Sequence, residues 1–126
     1  MTIIESRTWV HVCPLADLVP GRGVAALLDD RQVAVFHLGT DESGAPDIRA
    51  VGNIDPFGRA AVMSRGLVGD RDGVPTVASP LLKQVFSLDD GECLDDATVA
   101  LPVYAVRVVD GDVQIGYADT STVDPR

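Results

Sequence analysis

The donors that could hold a soft or borderline metal are few: two cysteines, Cys13 and Cys93, and two histidines, His11 and His37. No two of them share a ligand spacing, so they predict no metal site. The cysteines form no C-x-x-C motif and read as reduced and buried. Ser79 precedes a proline and has no histidine near it in sequence, the setting of a turn residue rather than a nucleophile. Asp55, before Pro56, suits an Asx-type turn. Asp89, Asp90, Asp95 and Asp96 match no calcium-loop spacing and read as turn and surface residues. Catalytic triads, paired carboxylates and phosphate-cradling glycine motifs are all missing from the sequence.

The whole-chain composition narrows the classes further. A chain of 126 residues with 46% hydrophobic content is one domain with a packed core. A net charge of −9 argues against nucleic acid, which calls for clustered Lys and Arg. Only Lys83 supplies a lysine among the ten basic residues. No window reaches the ~20 apolar residues of a membrane span, so no membrane partner is expected. The N-terminal Met-Thr-Ile-Ile-Glu-Ser-Arg lacks the basic and apolar regions of a signal peptide, which makes the cytoplasm the expected location.

Short strands must position whatever site exists. Thr8–Cys13 alternates, with Val10 and Val12 on one face and Trp9, His11 and Cys13 on the other. That places His11 on the strand surface or rim. Val24–Leu28 and Gln32–Leu38 flank Asp29-Asp-Arg31 as a hairpin. A polar loop spans 39–47, and Ile48–Ile54 forms the next strand. The stretch 60–66 is open between a helical turn and an irregular crossing. Leu67–Gly69 and Val74–Ala78 make a second hairpin, with Pro75 marking an edge or a bulge. Val85–Leu88 precedes a turn at Asp89–Glu92, and Asp110-Gly111 joins Tyr104–Val109 to Val113–Ile115 as a tight hairpin. The pattern predicts an all-β sandwich or barrel over 8–116, with flexible tails at 1–7 and 117–126.

Two proline-marked loops stand out, Asn53-Ile-Asp-Pro-Phe-Gly58 and Ser79-Pro-Leu-Leu-Lys-Gln84. After the second comes Val85-Phe-Ser-Leu-Asp-Asp-Gly-Glu-Cys-Leu94. This arrangement resembles the cluster-binding half of a Rieske (ISP-type) domain, where a Cys-x-His loop faces a Cys-x-x-His loop. On that pattern Asp55 and Phe57 occupy the first Cys and His positions, and Ser79 and Leu82 the second pair. A Rieske cluster takes two thiolates on one iron and two imidazoles on the other. Phenyl and alkyl groups have no lone pair to offer, and a hydroxyl is a poor stand-in for a thiolate.

From about Trp9 to Ile115 the chain is similar to the Rieske-like small subunit of assimilatory NAD(P)H-dependent nitrite reductase. Val12-Cys-Pro-Leu15, Pro20-Gly-Arg-Gly23, Asp55-Pro-Phe57, Met63-Ser-Arg-Gly66, Ala78-Ser-Pro-Leu81 and Lys83-Gln84 carry the resemblance. It implies an all-β Rieske-like fold with two loop tips and no catalytic residue, metal or cofactor of its own. It also implies a large-subunit partner holding flavin (FAD), an iron-sulfur cluster and sirohaem, the complex reducing nitrite to ammonia. Two other readings are a Rieske-type electron-transfer ferredoxin, opposed by the missing ligands, and a free-standing β-barrel protein-binding module.

Losing a cluster also removes a cross-link between loops, and metal binding supplies on the order of 10 kcal/mol to small domains. Phe57, Leu82, Pro56 and Pro80 are expected to pack tip against tip in its place, since burying a side chain such as Phe or Leu returns roughly 1.5–3 kcal/mol. The same tips are a candidate docking surface, with Phe57 and Leu82 as its apolar part and Arg59, Arg65 and Lys83 as its polar rim.

Overall fold

The run Val33-Ala-Val-Phe36 contains no polar side chain, the pattern of a strand covered on both faces. In the computed structural model, which describes residues 7–118, it lies within β3 (Arg31–Thr40), and all four side chains are fully buried. Because side chains alternate along a strand, β3 feeds two cores. Val33 and Val35 join Leu18, Leu28, Ile48, Ala50, Val113 and Ile115 in one. Ala34 and Phe36 join Val51, Met63, Val77, Phe86, Leu88, Cys93 and Leu101 in the other.

The remaining strands are β1 (Arg7–Pro14), β2 (Gly23–Leu28), β4 (Pro46–Gly52), β5 (Leu67–Arg71), β6 (Val74–Ala78), β7 (Val85–Ser87), β8 (Val103–Val109) and β9 (Asp112–Ala118). Two 3-10 turns, Leu15–Asp17 and Met63–Arg65, are the only helical pieces among the described residues. Every strand pairing is antiparallel. One sheet runs β1-β9-β8-β4-β3-β2, curling into a nearly closed barrel, and the other runs β5-β6-β7. The first core fills the barrel, and the second lies between β3 and the small sheet. The all-β fold expected from the turn spacing is the fold observed.

Each hairpin closes as its sequence requires. Asp110 and Gly111 both take positive φ, 52° and 77°, as the mirror-image turn of a two-residue hairpin demands. The stretch 60–66, open from sequence, contains the Met63–Arg65 turn, and Met63 is fully buried. β1 starts at Arg7, and β9 continues through Tyr117, opposite Thr8, to Ala118. The rest of the two expected tails lies outside the described residues.

The structure corrects two strand details. Cys13 packs against the same core as Val10 and Val12, not on the opposite face. The ladder with β9 slips between His11 and Cys13, and such a bulge breaks the alternation. Pro75 sits in β6, the middle strand of its sheet, rather than at an edge. It pairs with Asp70, one step beyond the Arg71–Val74 pair that closes the hairpin. That is a non-hydrogen-bonded position, so the missing N–H costs no bond to β5. On the other side the Pro75 carbonyl accepts from the Leu88 N–H at 2.8 Å, just past β7, and the Leu88 carbonyl that a Pro75 N–H would have met accepts from the Arg49 guanidinium at 3.4 Å instead.

Candidate functional site

The two proline-marked loops are built alike. In the first, the Asp55 N–H donates to the Ala60 carbonyl at 2.9 Å and the Arg59 N–H donates to the Asp55 carbonyl at 2.7 Å. In the second, the Ser79 N–H donates to the Gln84 carbonyl at 2.9 Å and the Lys83 N–H to the Ser79 carbonyl at 3.1 Å. Each loop thus closes between a polar residue before proline and a residue five positions on. The basic residue ahead of the closing position is left-handed in both, with φ of 58° at Arg59 and 65° at Lys83.

The polar side chains at the start of each loop stabilise the turns. Asp55 Oδ1 accepts from the Phe57 N–H at 2.8 Å and the Gly58 N–H at 3.3 Å, an Asx turn. Ser79 Oγ accepts from the Leu81 N–H at 3.2 Å. Both residues are buried, at 0% and 1% exposure. The first loop is braced from behind by Asn53, whose Oδ1 accepts from the Ser64 N–H at 2.7 Å and whose carbonyl accepts from the Met63 N–H at 3.0 Å.

The decisive contact joins the loops to each other. Ser79 Oγ donates to Asp55 Oδ2 at 2.5 Å, with both groups buried. A hydrogen bond to a charged acceptor is short and about twice as strong as a neutral one. Burial pushes the Asp55 carboxyl up, while the Ser79 hydroxyl and the Phe57 and Gly58 amides pull it down and prevail. The group therefore lies below its ordinary value and holds the bond as a carboxylate.

The expected apolar tip-to-tip packing is corrected in part. Leu82 is 55% exposed and Pro80 is exposed as well. Leu81 reaches across instead: a Cβ at Gly58 would lie 2.8 Å from Leu81 Cδ1. Phe57 turns inward, half-buried against the core, its ring 6.2 Å from that of Phe86. Arg59, Arg65 and Lys83 are exposed.

The other candidates from sequence do not converge here. His11 Nδ1 meets Asp112 at the barrel surface. His37 is buried, and its Nδ1 accepts from the Gly39 N–H at 2.9 Å. Both cysteines are free thiols, Cys93 buried and Cys13 partly so. Among the described residues no three His, Cys, Asp or Glu side chains cluster as metal ligands. The acidic residues of the 88–96 loop act in turns: Asp90 Oδ1 accepts from the Glu92 N–H and Asp96 Oδ1 from the Thr98 N–H. Sequence reasoning missed the Asp55–Ser79 pair. Both residues were recognisable as turn formers, but nothing local pairs positions 24 residues apart.

The family description "Rieske-like [2Fe-2S] domain" matches residues 8–116. The nitrite reductase (NADH) small subunit of Escherichia coli K12 is 43% identical over 107 residues, covering 85% of this chain and 95% of that one. The chain belongs to the family of nitrite reductase small subunits. A crystal structure from Mycobacterium tuberculosis, of a proposed NADH-dependent nitrite reductase small subunit, shares 52% identity with a TM-score of 0.80, covering 89% of this chain and 96% of that one. A stretch of the Klebsiella oxytoca nitrite reductase [NAD(P)H] large subunit is 37% identical over 113 residues, covering 90% of this chain and 11% of that protein.

The residues of this small subunit do not fit the cluster that the wider domain family is described by. At the positions that the sequence resemblance assigns to the ligands, Asp55, Phe57, Ser79 and Leu82 offer a carboxylate, a phenyl ring, a hydroxyl and an isobutyl group, and only the first is a competent metal donor. The hydroxyl and the carboxylate are already bonded to each other. What the arrangement does chemically is hold two loops together through a hydroxyl-to-carboxylate hydrogen bond.

Proposed function

We propose that this chain works without a redox centre, as the docking subunit of a cytoplasmic NAD(P)H-dependent nitrite reductase. Its partner is the large subunit, which in this reading carries the flavin, the iron-sulfur cluster and the sirohaem that reduce nitrite to ammonia. The small subunit stabilises or orients that large subunit through its two tips. The observation that carries the reading is the Asp55–Ser79 hydrogen bond, between the two residues that the resemblance aligns with the thiolate ligands of a Rieske cluster. Kinship with Escherichia coli and Klebsiella sequences supports the choice of complex, the second relative having a matching stretch inside a large subunit. Two free cysteines agree with a reducing compartment.

In this reading Phe57 holds the first tip in shape from within, while Leu82, Arg59, Arg65 and Lys83 face the partner. A native pull-down of the tagged chain, followed by identification of what accompanies it, tests the proposal. A flavin- and sirohaem-containing protein in stoichiometric amount is the expected companion. Recovery of the chain alone, or with an unrelated protein, would favour the free-standing binding module.

A further inference from the structure

Exposed charge on this protein is unevenly spread. The chain is acidic overall, yet between Asp47 and Asp70 the only acid is Asp55, and between Asp72 and Asp89 there is none. Asp55 is fully buried and bonded to Ser79. The segments that build both tips therefore expose no carboxylate, while they expose Arg59, Arg65 and Lys83. None of the three cations forms an ion pair with an acid among the described residues.

Large apolar side chains gather in the same segments. Leu81 and Leu82 are 47% and 55% exposed in the second tip. Ile54, 46% exposed, directly precedes the first tip. Leu67, 77% exposed, pairs with Ala78, the residue before the second tip. Beyond the second tip, the Asp95 carboxylate accepts from the Val85 N–H at 2.9 Å and lies 4.0 Å from Arg71. Apolar groups interspersed with unpaired cations, on loops of an otherwise acidic protein, make a recognition surface with a defined polarity.

We infer that this face meets an acidic patch of the large subunit, with an apolar centre over Leu81 and Leu82 and carboxylates opposite Arg59 and Lys83. The two cations occupy equivalent places in two loops closed by the same pair of backbone bonds, so the partner's carboxylates are spaced to suit a repeated loop. The rest of the small subunit, being acidic, is repelled by that patch, which restricts the chain to one orientation. The inference rests on the docking role proposed above.

Binding of the purified large subunit to the wild-type chain, to Arg59→Glu/Lys83→Glu and to Glu42→Lys tests it, with each complex measured from about 0.05 M to about 0.5 M salt. Glu42 lies in the β3–β4 loop, at the end of β4 away from the first tip, so its variant changes net charge without touching the face. The expected result is at least about ten-fold weaker binding for the double variant at low salt, wild-type affinity for Glu42→Lys, and wild-type binding that weakens as salt rises. Wild-type chain that binds with no salt dependence, or a double variant that binds as wild type does, would overturn the inference while leaving the docking role intact. Wild-type chain that does not bind at all overturns the docking role, and the inference with it.

Discussion

At Asp55 and Ser79, a buried carboxylate and a buried hydroxyl do the cross-linking that a metal does in a Rieske domain. Ser79→Ala removes the donor and leaves Asp55 Oδ2 buried without a partner, an expected loss of about 1–3 kcal/mol by denaturant titration. Ser79→Cys keeps an S–H but donates weakly and should recover only part of that. The pair also sets a pH dependence. Because the folded-state value of Asp55 is depressed, its contribution is fully present above the unfolded carboxyl value and is lost as pH falls through the folded one. Asp55→Asn lacks this term, so it should be less stable than wild type at neutral pH. The gap in melting temperature should narrow below about pH 4, and a constant gap down to pH 2 would contradict the ionised pair. The turn role of each residue was legible from the proline that follows it. Their partnership was not, because only the folded sheets bring the two loops together.

At the level of elements, the sequence was most informative where two φ angles decide the outcome. Asp110-Gly111 announced its hairpin and adopts it. Long-range placement was less accessible. Pro75 read as an edge or a bulge, yet it lies in a middle strand: on the β5 side its missing N–H falls between ladder bonds, and on the other side the Leu88 carbonyl takes a bond from Arg49 in its place. Cys13 changed face through a bulge that no alternation of side chains could announce. The loop after β7 shows how tightly such joins are made. Gly91 has φ of 79°, and a Cβ there would lie 2.1 Å from the Leu101 carbonyl oxygen. The Leu101 N–H also donates to the Gly91 carbonyl at 2.8 Å, so neither segment can retreat without losing that bond. Gly91→Ala should therefore cost more than about 2 kcal/mol, combining left-handed strain with backbone overlap. A shift in the denaturation midpoint with an unchanged slope would show it.

Across the whole molecule, β3 of the barrel sheet feeds both cores, and the two proline-marked loops are bonded to each other. The fold class and the loop tips were legible in strand spacing and in prolines. How the two tips are held to each other became visible only with the side chains in place. Phe57 belongs to the core edge and Leu82 to the surface, a split that the shared apolar character of the two residues concealed. Phe57→Ala should destabilise the isolated chain by about 2 kcal/mol, less than a fully buried ring, whereas Leu82→Ala should leave its melting temperature within a degree or two. The most direct test is the iron content and electron paramagnetic resonance of the purified small subunit, expressed under conditions that load iron-sulfur proteins. Loops closed by a serine–aspartate bond should give colourless protein with no bound iron and no signal after reduction. Two irons per chain with a rhombic reduced signal would contradict that closure.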